Sequence, residues 1–506
     1  MADSATPSLI DRAHLHLGRE SIVDRDGTYS YDALLDASSR IAGELLTGRR
    51  DLDEAPVAIL ITPGFAWVAT LLGVWRAGGI AVPLPLNSPA SELDWYFADT
   101  RAPVLIHDAA NEEIASAVAA LRRIRSCSCR EMLAGMTTPL PSVDTQRRAM
   151  ILYTSGTTSR PKGVVTTHDN ITAQITTLAG AWEWTDKDRI VLCLPLHHVH
   201  GIVNVVLCAL WSGAVCEMLP RFDADAVWER IGSGRVTLFM AVPTIYVKLI
   251  AAWEAYPPDR REMLSKAAAG LRLMVSGSAA LPISTLERWR QITGHTLLER
   301  YGMTEIGMAL SNSYCGMRVP GSVGVHLPWV EVRLVNEQGA EVAPGTPGEI
   351  EVRGLNVFRE YWRNPEATRS AFRDGWFRTG DTAIVENGVY RILGRTNIDI
   401  LKTGGHKVSA LEIEEVLRQH PAIADCAVVG VDDPEWGQRV SAAAVLRPGS
   451  ELDLESLRDW CRPQMASHKI PSRLLILTAL PRNAMGKVTK SEVAKLFGSQ
   501  REGKPE

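Results

Sequence analysis

Residues 153–163 have the composition of a loop that binds phosphate. The segment combines Ser and Thr hydroxyls with two glycines and Lys162, and it directly follows an apolar run. Backbone N–H groups and hydroxyls can donate to phosphate oxygens while a lysine supplies positive charge. A Walker loop needs Gly-Lys followed by Ser or Thr, whereas here Pro161 precedes Lys162 and Gly163 follows it. We therefore predict a phosphate site of another kind, the alternative being a solvated Ser/Thr loop.

The elements that would position such a loop come from an alternation of strands and helices. Over about the first 390 residues, short β-branched runs alternate with helical stretches, and 190–192, 271–275 and 296–298 are predicted to be buried strands. This alternation predicts parallel sheets with helices on their faces. Ligands in such folds collect beyond the carboxyl ends of the strands.

Two long runs without charged residues, 57–75 and 190–216, have to be distinguished from membrane spans. Pro63-Gly64 interrupts the first, so we predict a buried strand, a turn and a helix that ends near Gly78-Gly79. The second contains a proline, three histidines and Asn204, which are costly in lipid. Both runs are predicted to lie in the core of a large α/β domain.

The composition is that of an ordinary globular protein. Of 506 residues, 46% are hydrophobic and 22% charged, which excludes disordered, collagen-like and coiled-coil chains. The 54 Lys and Arg against 58 Asp and Glu leave a net charge of -4, so no global field favours nucleic acid or an anionic membrane. The length predicts about three or four domains of roughly 150 residues.

Cysteine usage and the N-terminus predict the compartment. Eight scattered cysteines form no Cys-x-x-Cys pair, as expected of reduced thiols in the cytosol. The N-terminus has an early acid, Asp3, and no apolar core, unlike a secretory signal. Asp11 and Glu20 also argue against a mitochondrial transit peptide. We predict a cytoplasmic protein, or a mitochondrial one if a presequence has been removed.

The pattern of predicted secondary structure changes twice towards the C-terminus. After about Glu341 it consists of short strands, and beyond a Gly-rich stretch it has a compact α+β pattern. Ser409 and Glu412 have the spacing of a capping box that opens a helix through Leu417. We predict an N-terminal domain at 1–394, a hinge and link at 395–405, and a C-terminal domain at 406–506.

An ordered set of motifs resembles the adenylate-forming superfamily of acyl-CoA synthetases, luciferases and peptide-synthetase adenylation domains. The resemblance covers essentially the whole chain, and any one match is modest beside the ordered set. It implies an α/β fold with a large N-terminal domain of parallel-sheet subdomains, a small β-barrel-like subdomain and a mobile C-terminal α+β domain. The matching segments are 153–163, 276–279, 301–305, 379–381 with 394–395, and 481–487.

The resemblance also implies the chemistry. A carboxylate resists acyl transfer because oxide is a poor leaving group, but attack on the α-phosphorus of ATP gives an acyl adenylate whose AMP leaves readily. Cations must neutralise the anions brought together. By resemblance, Lys487 bridges the substrate carboxylate and the α-phosphate, Glu305 and Thr154 hold Mg²⁺, and Thr304 and Thr154 hold phosphate oxygens. Outside this motif context, Glu305 and Lys487 would be ordinary solvated residues.

The site residues implied by the resemblance fall into three groups. His198, Lys487, Glu305 and Thr304 form the catalytic group, in which His198 gates the acyl pocket rather than catalysing. Gly404, Gly405, His406 and Lys407 are expected on the CoA side. The nucleotide-binding residues are Thr154, Ser155, Gly156, Thr157, Thr158, Lys162, Ser276, Gly277, Ser278, Ala279, Glu299, Arg300, Tyr301, Gly302, Met303, Asp381 and Arg395.

Arg300 indicates which kind of carboxylic acid is the substrate. An arginine facing a closed pocket is costly without an anion, and its planar fork binds a carboxylate in bidentate fashion. A short dicarboxylate has one carboxylate for reaction and one for Arg300, with His200 as a further donor. The segments 298–305 and 198–201, supported by 242–246 and 358–362, resemble malonyl-CoA synthetases. The alternative is that Arg300 pairs with a nearby acid, Glu299 or Glu305.

We therefore predict an ATP-, Mg²⁺- and CoA-dependent malonate–CoA ligase, with methylmalonate open as a second substrate. The alternatives are a CoA synthetase for another short or medium acid, or an enzyme that loads a carrier protein. No nucleic-acid partner and no membrane span are expected, and the chain is expected to be a monomer or weak homodimer. Ser159 stands where the superfamily usually has glycine, and a positive φ there would cost a serine roughly 1 kcal/mol.

Overall fold

The computed structural model describes residues 8–154, 161–482 and 488–499. Strands and helices alternate along the first two thirds of the chain, as the sequence predicts. In chain order, the earlier strands are β1 Glu20–Val23, β2 Thr28–Ser30, β3 Pro56–Leu60, β4 Ile80–Pro83, β5 Val104–His107, β6 Arg125–Ser128, β7 Arg148–Thr154, β8 Lys162–Thr167, β9 Arg189–Leu192, β10 Val215–Met218, β11 Leu238–Ala241, β12 Leu273–Ser276, β13 Leu298–Met303, β14 Gly307–Ser311 and β15 Val325–His326. The later strands are β16 Glu331–Val335, β17 Gly348–Arg353, β18 Glu360–Tyr361, β19 Phe372–Arg373, β20 Trp376–Glu386, β21 Val389–Arg395, β22 Ile400–Thr403, β23 His406–Ser409, β24 Ile423–Asp433, β25 Gly437–Leu446 and β26 Arg473–Ile476.

The helices cover the faces of these sheets. A π-helix, His200–Leu207, lies between β9 and the following α-helix, and short 3₁₀ turns lie at Ala109–Asn111 and Ser467–Lys469. The α-helices are α1 Ser8–His14, α2 Tyr31–Leu45, α3 Phe65–Arg76, α4 Ala90–Thr100, α5 Glu112–Arg122, α6 Cys129–Leu133, α7 His168–Ala181, α8 Cys208–Ser212, α9 Ala224–Gly232, α10 Pro243–Ala255, α11 Pro258–Ala269, α12 Ile283–Thr293, α13 Pro365–Ala371, α14 Ala410–Leu417, α15 Leu454–Cys461 and α16 Lys490–Ser499.

Two mixed sheets with parallel centres form the bulk of the N-terminal part. In one, β7-β4-β3-β5-β6 are parallel, and β8 and β18 pair antiparallel at one edge. In the other, β13-β12-β11-β9-β10-β1 are parallel, with β2 antiparallel at one edge and β14 and β15 at the other. The largest buried apolar cluster joins the two sheets, as expected for parallel strands covered on both faces.

Two smaller sheets follow in the chain. An antiparallel sheet in the order β16-β17-β20-β19, with β21 on β20, is the predicted subdomain of short strands. The last sheet has the order β23-β22-β25-β24, with β26 parallel to β25. It has an apolar cluster on each face, one including Leu417 and Leu457, the other Val493 and Phe497. The predicted α/β architecture with a separate C-terminal α+β unit is confirmed.

The first uncharged run folds as predicted. Its strand is β3, its helix is α3, and the helix ends before Gly78. In the described residues no helix is both long and apolar enough to cross a bilayer. The second run forms β9, the π-helix, α8 and β10, all inside the large core.

One predicted strand is wrong in its position. Residues 296 and 297 are not in a strand; β13 begins at Leu298 and runs to Met303, so the strand contains most of the motif expected to follow it. Pairing with β12 starts only at Leu298, opposite Val275. Before that point, the carbonyl of Thr296 accepts from the guanidinium of Arg318 instead of from a neighbouring strand.

The connection between the two halves is shorter than the expected link of 395–405. Strand β21 runs to Arg395, and residues 400–403 form β22, which pairs with β23 and β25. Residues 396–399 thus join the two sheets. The predicted helix after Ser409 is α14, and the Ser409 hydroxyl caps it by accepting from the backbone N–H of Glu412.

Candidate active site

Glu305 lies in the tight turn between β13 and β14, buried with 5% of its surface exposed. Its Oε1 accepts from the Tyr361 hydroxyl at 3.0 Å, and its carbonyl accepts from the N–H of Phe358 at 2.7 Å. Its Oε2 has no hydrogen-bond partner within 8–154, 161–482 and 488–499. Burial raises the pKa of Glu305, while Tyr361, Arg395 and Lys162 act in the opposite direction. The turn therefore holds one carboxylate oxygen available to a cation.

The β7–β8 hairpin brings Lys162 near this carboxylate, with Thr154 opposite the lysine in the hairpin. The two residues are register partners at the end of the hairpin, and the Lys162 Nζ lies 5.0 Å from the centroid of the Tyr361 ring. The N–H of Trp362 donates to the carbonyl of Gly163 at 2.7 Å. Tyr361 thus lies between the lysine and Glu305. Tyr361 is not among the residues to which the motifs assign a role, although it lies in the segment 358–362.

The rest of the predicted phosphate loop, Ser155, Gly156, Thr157 and Thr158, lies outside the described residues. Ser159 and Lys487 also lie outside them. Their predicted roles therefore stay predictions.

The residues predicted to bind ribose converge around Asp381. Its side chain accepts from the Tyr301 hydroxyl at 2.6 Å and pairs with the Arg395 Nε at 2.9 Å across β20 and β21. Its backbone N–H donates to the Thr379 hydroxyl at 3.1 Å. Burial, together with Asp381, raises the pKa of Tyr301 well above its usual range. The tyrosine is therefore a fixed donor that orients the aspartate.

Arg300 lies on β13 with only 3% of its surface exposed. Its Nε has no partner among the described residues, and no acid there lies within ion-pair distance of its guanidinium. Glu299, the neighbour in the strand, points to the opposite face, where its Oε1 accepts from the N–H of Gly321 at 2.9 Å. Glu305 is bonded to Tyr361. The alternative in which Arg300 pairs with Glu299 or Glu305 is therefore wrong.

The charge states of Arg300 and Glu299 follow from burial. Burial lowers the pKa of Arg300 to about 9, which leaves its guanidinium charged at neutral pH. Burial raises the pKa of Glu299 to about 8, which leaves that carboxyl largely protonated at neutral pH. The cation of β13 consequently has no counter-charge on its own strand.

Gly277 and Ser278 cover the guanidinium. A Cβ on Gly277 would lie 2.4 Å from the Arg300 Cζ, so only glycine allows the backbone to approach this closely. Ser278 follows in the left-handed region with φ of 69°, a strained conformation for serine. The Ser276 hydroxyl, just before them, is buried without a partner in the part of the chain described. Sequence analysis placed 276–279 on the nucleotide side, whereas Ser278 contacts the arginine.

A short hydrogen-bond relay joins Arg300 to His200. The Arg300 Nη2 lies 3.5 Å from the Ser278 Oγ, which lies 3.3 Å from the His200 Nδ1. Arg300 can only donate, so the hydroxyl accepts from it and can donate its own proton to Nδ1, the arrangement in which the His200 Nε2 carries the ring proton. That Nε2 has no partner in the described ranges. Burial, with Arg300, lowers the pKa of His200 well below its usual range, so the ring is neutral.

The π-helix is preceded by two histidines whose rings contact each other at a tilt of 51°. The ring centroids of His197 and His198 lie 4.1 Å apart. Burial, with His198 adding to it, lowers the pKa of His197 to about 3. A Cβ on Gly201 would lie 2.7 Å from the carbonyl oxygen of Pro195. Glycine therefore lets the start of the helix pack against the preceding turn, which carries the histidines.

The residues predicted on the CoA side lie elsewhere in this structure. Gly404 and Gly405, with φ of 53° and 80°, form the exposed turn between β22 and β23. The His406 ring stacks on His468 with centroids 4.4 Å apart, and the Lys407 Nζ pairs with Glu337 at 2.7 Å. None of the four is bonded to Arg300, His200 or Glu305 in the described residues. The structure does not bring this turn into the cluster.

A buried lysine ties the connection between the halves to the C-terminal helices. The Lys490 Nζ pairs with Asp399 at 2.5 Å and with Glu414 at 2.8 Å, and Asp399 also accepts from the N–H of Arg395 at 2.9 Å. Burial lowers the pKa of Lys490, but Glu414 and Asp399 outweigh it and raise the pKa overall. The sequence analysis did not identify this group, because its members come from three separate segments.

The matches to known protein families agree with this geometry. Residues 9–362 match the family described as AMP-binding enzyme, and residues 412–487 match the AMP-binding enzyme C-terminal domain. The chain belongs to the AMP-binding enzyme family. The predicted superfamily, the adenylate-forming fold and the assignment as an AMP-forming acid–thiol ligase are confirmed.

Individual members of this family are similar to this chain along nearly their whole length. The mitochondrial malonate–CoA ligase ACSF3 of Bos taurus is 43% identical, with 100% of this chain and 92% of the relative covered. Its counterpart in Mus musculus is 44% identical over 99% and 93%. The crystal structure of ATP-bound MatB from Rhodopseudomonas palustris is 34% identical with a TM-score of 0.89, covering 98% of this chain and 100% of MatB.

Proposed function

We propose that this chain is an ATP-dependent malonate–CoA ligase. Malonate and ATP give malonyl-AMP and pyrophosphate, and CoA then gives malonyl-CoA and AMP. The observation that carries the proposal is the buried guanidinium of Arg300, which has no acid partner in the described residues. Full-length relatives that carry the name malonate–CoA ligase support the same substrate.

The acyl pocket selects a second carboxylate on electrostatic grounds. Taking a guanidinium out of water costs several kcal/mol unless an anion replaces the lost hydration. A dicarboxylate offsets that cost with its distal carboxylate, whereas a fatty acid of any length leaves the cation unpaired. The Ser278 hydroxyl bridges Arg300 and the neutral ring of His200, whose Nε2 has no partner in the described residues. One cation beside two neutral groups matches a single negative charge.

In the first half-reaction the reacting carboxylate of malonate attacks the α-phosphorus of ATP. The bond from that phosphorus to the bridging oxygen breaks, and pyrophosphate leaves with the electron pair. Lys162 lies beside Tyr361 and Glu305, where it can hold the departing phosphates. Thr154 and Thr304 are donors to phosphate oxygens. Lys487 would bridge the substrate carboxylate and the α-phosphate as a mobile point charge.

Magnesium fits the Glu305 turn. A hard cation favours carboxylate and phosphate oxygens, and the Glu305 Oε2 is a buried carboxylate oxygen without a partner among the described residues. Glu305 would hold the ion, with Thr154 beside it. When bound, Mg²⁺ neutralises negative charge on the phosphates. Tyr361 fixes the other carboxylate oxygen by donating to it.

The nucleoside is held from the antiparallel sheet. Asp381 can accept from ribose hydroxyls, and Arg395 adds a donor at the same point. The Tyr301 hydroxyl keeps the aspartate oriented. Gly302 and Met303 continue the strand towards Glu305, so one short segment carries ribose orientation, acyl recognition and metal binding together.

In the second half-reaction the CoA sulfur attacks the carbonyl carbon of malonyl-AMP. The bond from that carbon to the AMP oxygen breaks, AMP leaves, and the thiol proton passes to solvent. The Gly404–Gly405 turn, with His406 and Lys407, would line the pantetheine path after rotation of the C-terminal domain. Such a rotation needs only a few loop residues to change φ and ψ, and residues 396–399 are the connecting ones.

A substrate panel tests this function. ATP–pyrophosphate exchange and CoA consumption are measured with acetate, malonate, methylmalonate, succinate and octanoate. Malonate is expected to have the highest kcat/KM, and acetate and octanoate the lowest. A preference for acetate or octanoate would contradict the role of Arg300. The methylmalonate rate decides whether a second dicarboxylate is used.

The variant Arg300→Ala is expected to lose malonate use by about 100-fold or more in kcat/KM while KM for ATP changes less than threefold. Removing one charged partner from a buried carboxylate pair costs about 3–5 kcal/mol. Arg76→Ala is the matched control, because Arg76 is also shielded from solvent, and its guanidinium is satisfied by the Leu35 carbonyl and the Ser38 hydroxyl. Equal losses of malonate use in both variants would mean that Arg300 acts only on stability.

Compartment and assembly remain predictions. The animal relatives are named mitochondrial, which makes a mitochondrial location a candidate beside the predicted cytoplasmic one. Fractionation of cells that express the natural protein decides between them. The predicted monomer or weak homodimer is checked by light scattering over a range of concentrations.

A further inference from the structure

Asn204 is a buried polar side chain whose amide makes no hydrogen bond that would stabilise the fold, among the described residues. It lies in the π-helix with 0% of its surface exposed, and neither its Oδ1 nor its Nδ2 has a partner in the described residues. A buried amide that lacks partners loses its hydration without replacement. Such a group in a native structure needs an explanation, and an absent ligand is one.

Packing does not explain the residue. Its neighbours in the helix, Val203 and Val205, are buried apolar side chains in the large core. An aliphatic side chain at 204 would continue that core without an unpaired amide. Buried unsatisfied polar groups are kept where function requires them.

The helix directs Asn204 to the same side as His200. In a helix, residues four positions apart lie one above the other on one face, and the wider turn of a π-helix changes this only modestly. His200 places its Nδ1 3.3 Å from Ser278, with its Nε2 unpartnered in the described ranges. Asn204 therefore continues the wall of the acyl pocket by one turn. Single turns of π-helix are frequent at functional sites.

We propose that Asn204 is a specificity-determining residue that donates its amide N–H to the distal carboxylate of the substrate. A carboxylate has about four acceptor sites. The Arg300 fork can occupy two of them, and the His200 Nε2–H a third, which leaves one for the Asn204 Nδ2. The residue then favours a short dicarboxylate over an acid of the same shape with an apolar end. This proposal rests on the malonate–CoA ligase function and deepens it.

The test compares malonate with 3-methylbutanoate, which has the same shape but an isopropyl group in place of one carboxylate. In Asn204→Leu, the ratio of kcat/KM for malonate to that for 3-methylbutanoate is expected to fall at least tenfold, through KM for malonate. KM for ATP is expected to stay within twofold. Without substrate, the variant should melt at the same temperature as the wild type or higher, because an unpaired buried amide has been removed.

Two further variants sharpen the result. Asn204→Asp keeps the shape but replaces a donor with a negative charge facing the substrate carboxylate, so malonate use should fall at least 100-fold. Val206→Ala, in the same helix, removes only methyl groups from the core. It should lower the melting temperature and leave the selectivity ratio unchanged.

A purely structural Asn204 gives the opposite pattern. If Asn204→Leu melts lower and its selectivity ratio equals that of the wild type, the proposal is overturned. If that variant does not fold, Asn204→Val is judged by the same ratio. The wild-type panel is read separately: a wild type that prefers another acid refutes the malonate function, whereas an unchanged acid preference in the Asn204 variants refutes this inference alone.

Discussion

At the scale of single residues, the acyl site depends on one cation and the donors that surround it. Arg300 has no acid partner in the described residues, and the His200 Nε2 at the end of the relay through Ser278 has no partner there either. Because both neighbours are neutral, the guanidinium keeps its full charge for a ligand. Gly277, which has no side chain, leaves the space that the Arg300 guanidinium occupies.

Gly277→Ala tests whether this space is needed. The new Cβ would lie 2.4 Å from the Arg300 Cζ, so the guanidinium must move away from the pocket. We expect KM for malonate to rise about 10- to 100-fold, equivalent to roughly 1.4–2.7 kcal/mol, as measured by CoA consumption at saturating ATP. Gly180→Ala is the control, because nothing lies within 4 Å of its added Cβ. An unchanged KM in Gly277→Ala would show that the guanidinium position does not limit binding.

At the scale of elements, short connections hold the site. The β13–β14 turn presents Glu305, the π-helix presents His200, and residues 396–399 join the antiparallel sheet to the C-terminal sheet. The last of these is fixed by Asp399, which the Lys490 ammonium at the start of α16 ties to Glu414 of α14. Lys490 lies three residues after the predicted catalytic Lys487, so the connection and the catalytic segment share one anchor.

Lys490→Met should destabilise the C-terminal half. It leaves Asp399 buried without its cation, while Glu414 keeps its pair with Arg418 at 3.1 Å, and breaking a buried pair costs about 3–5 kcal/mol. The midpoint of chemical denaturation measures the loss. Lys495→Met on the same helix is the control, because that lysine is exposed and pairs only with Glu492, so it should change stability by less than about 1 kcal/mol. Equal effects of the two variants would refute the anchor.

At the scale of the whole molecule, a net charge of -4 conceals a strongly cationic site. Lys162 and Arg395 lie beside Glu305, which feels both of their charges, and Arg300 lies on the strand that ends at the same turn. The parallel sheets and the antiparallel sheet contribute one cation each here. The C-terminal unit would bring Lys487 as a further one. In the proposed mechanism, the two half-reactions would take place in two orientations of that unit.

Lys487→Ala tests this division. The variant should lose ATP–pyrophosphate exchange by about 100-fold or more, because electrostatic stabilisation of the phosphoryl transition state is removed. It should keep thiolation of preformed malonyl-AMP within about threefold, since the lysine is not needed when the C-terminal unit has rotated. Both rates are measured on the same preparation, with Lys495→Ala as a control. Equal loss of the two half-reactions would contradict the assigned role.

Much of this protein follows from the sequence alone. The ordered motifs identify the family and the fold, and they assign Glu305, Asp381 and Arg395 to one site. This works because each motif is local: a strand end followed by a few polar residues. Arg300 is also readable, since its type and its place in the motif already point to an anion. Asn204 was visible as a polar residue inside an uncharged run, although that signal alone gave it no role.

Tertiary structure alone decided which side chains lack partners. Glu299 and Arg300 are adjacent in sequence, yet strand geometry sends them to opposite faces, so proximity along the chain suggested a pair that does not form. The relay from Arg300 to His200 and the need for glycine at 277 depend on contacts between residues 22 to 78 positions apart. Composition and spacing describe segments one at a time, whereas unpaired buried charge is a property of the assembled core. That unpaired charge is the basis of the proposed preference for a dicarboxylate.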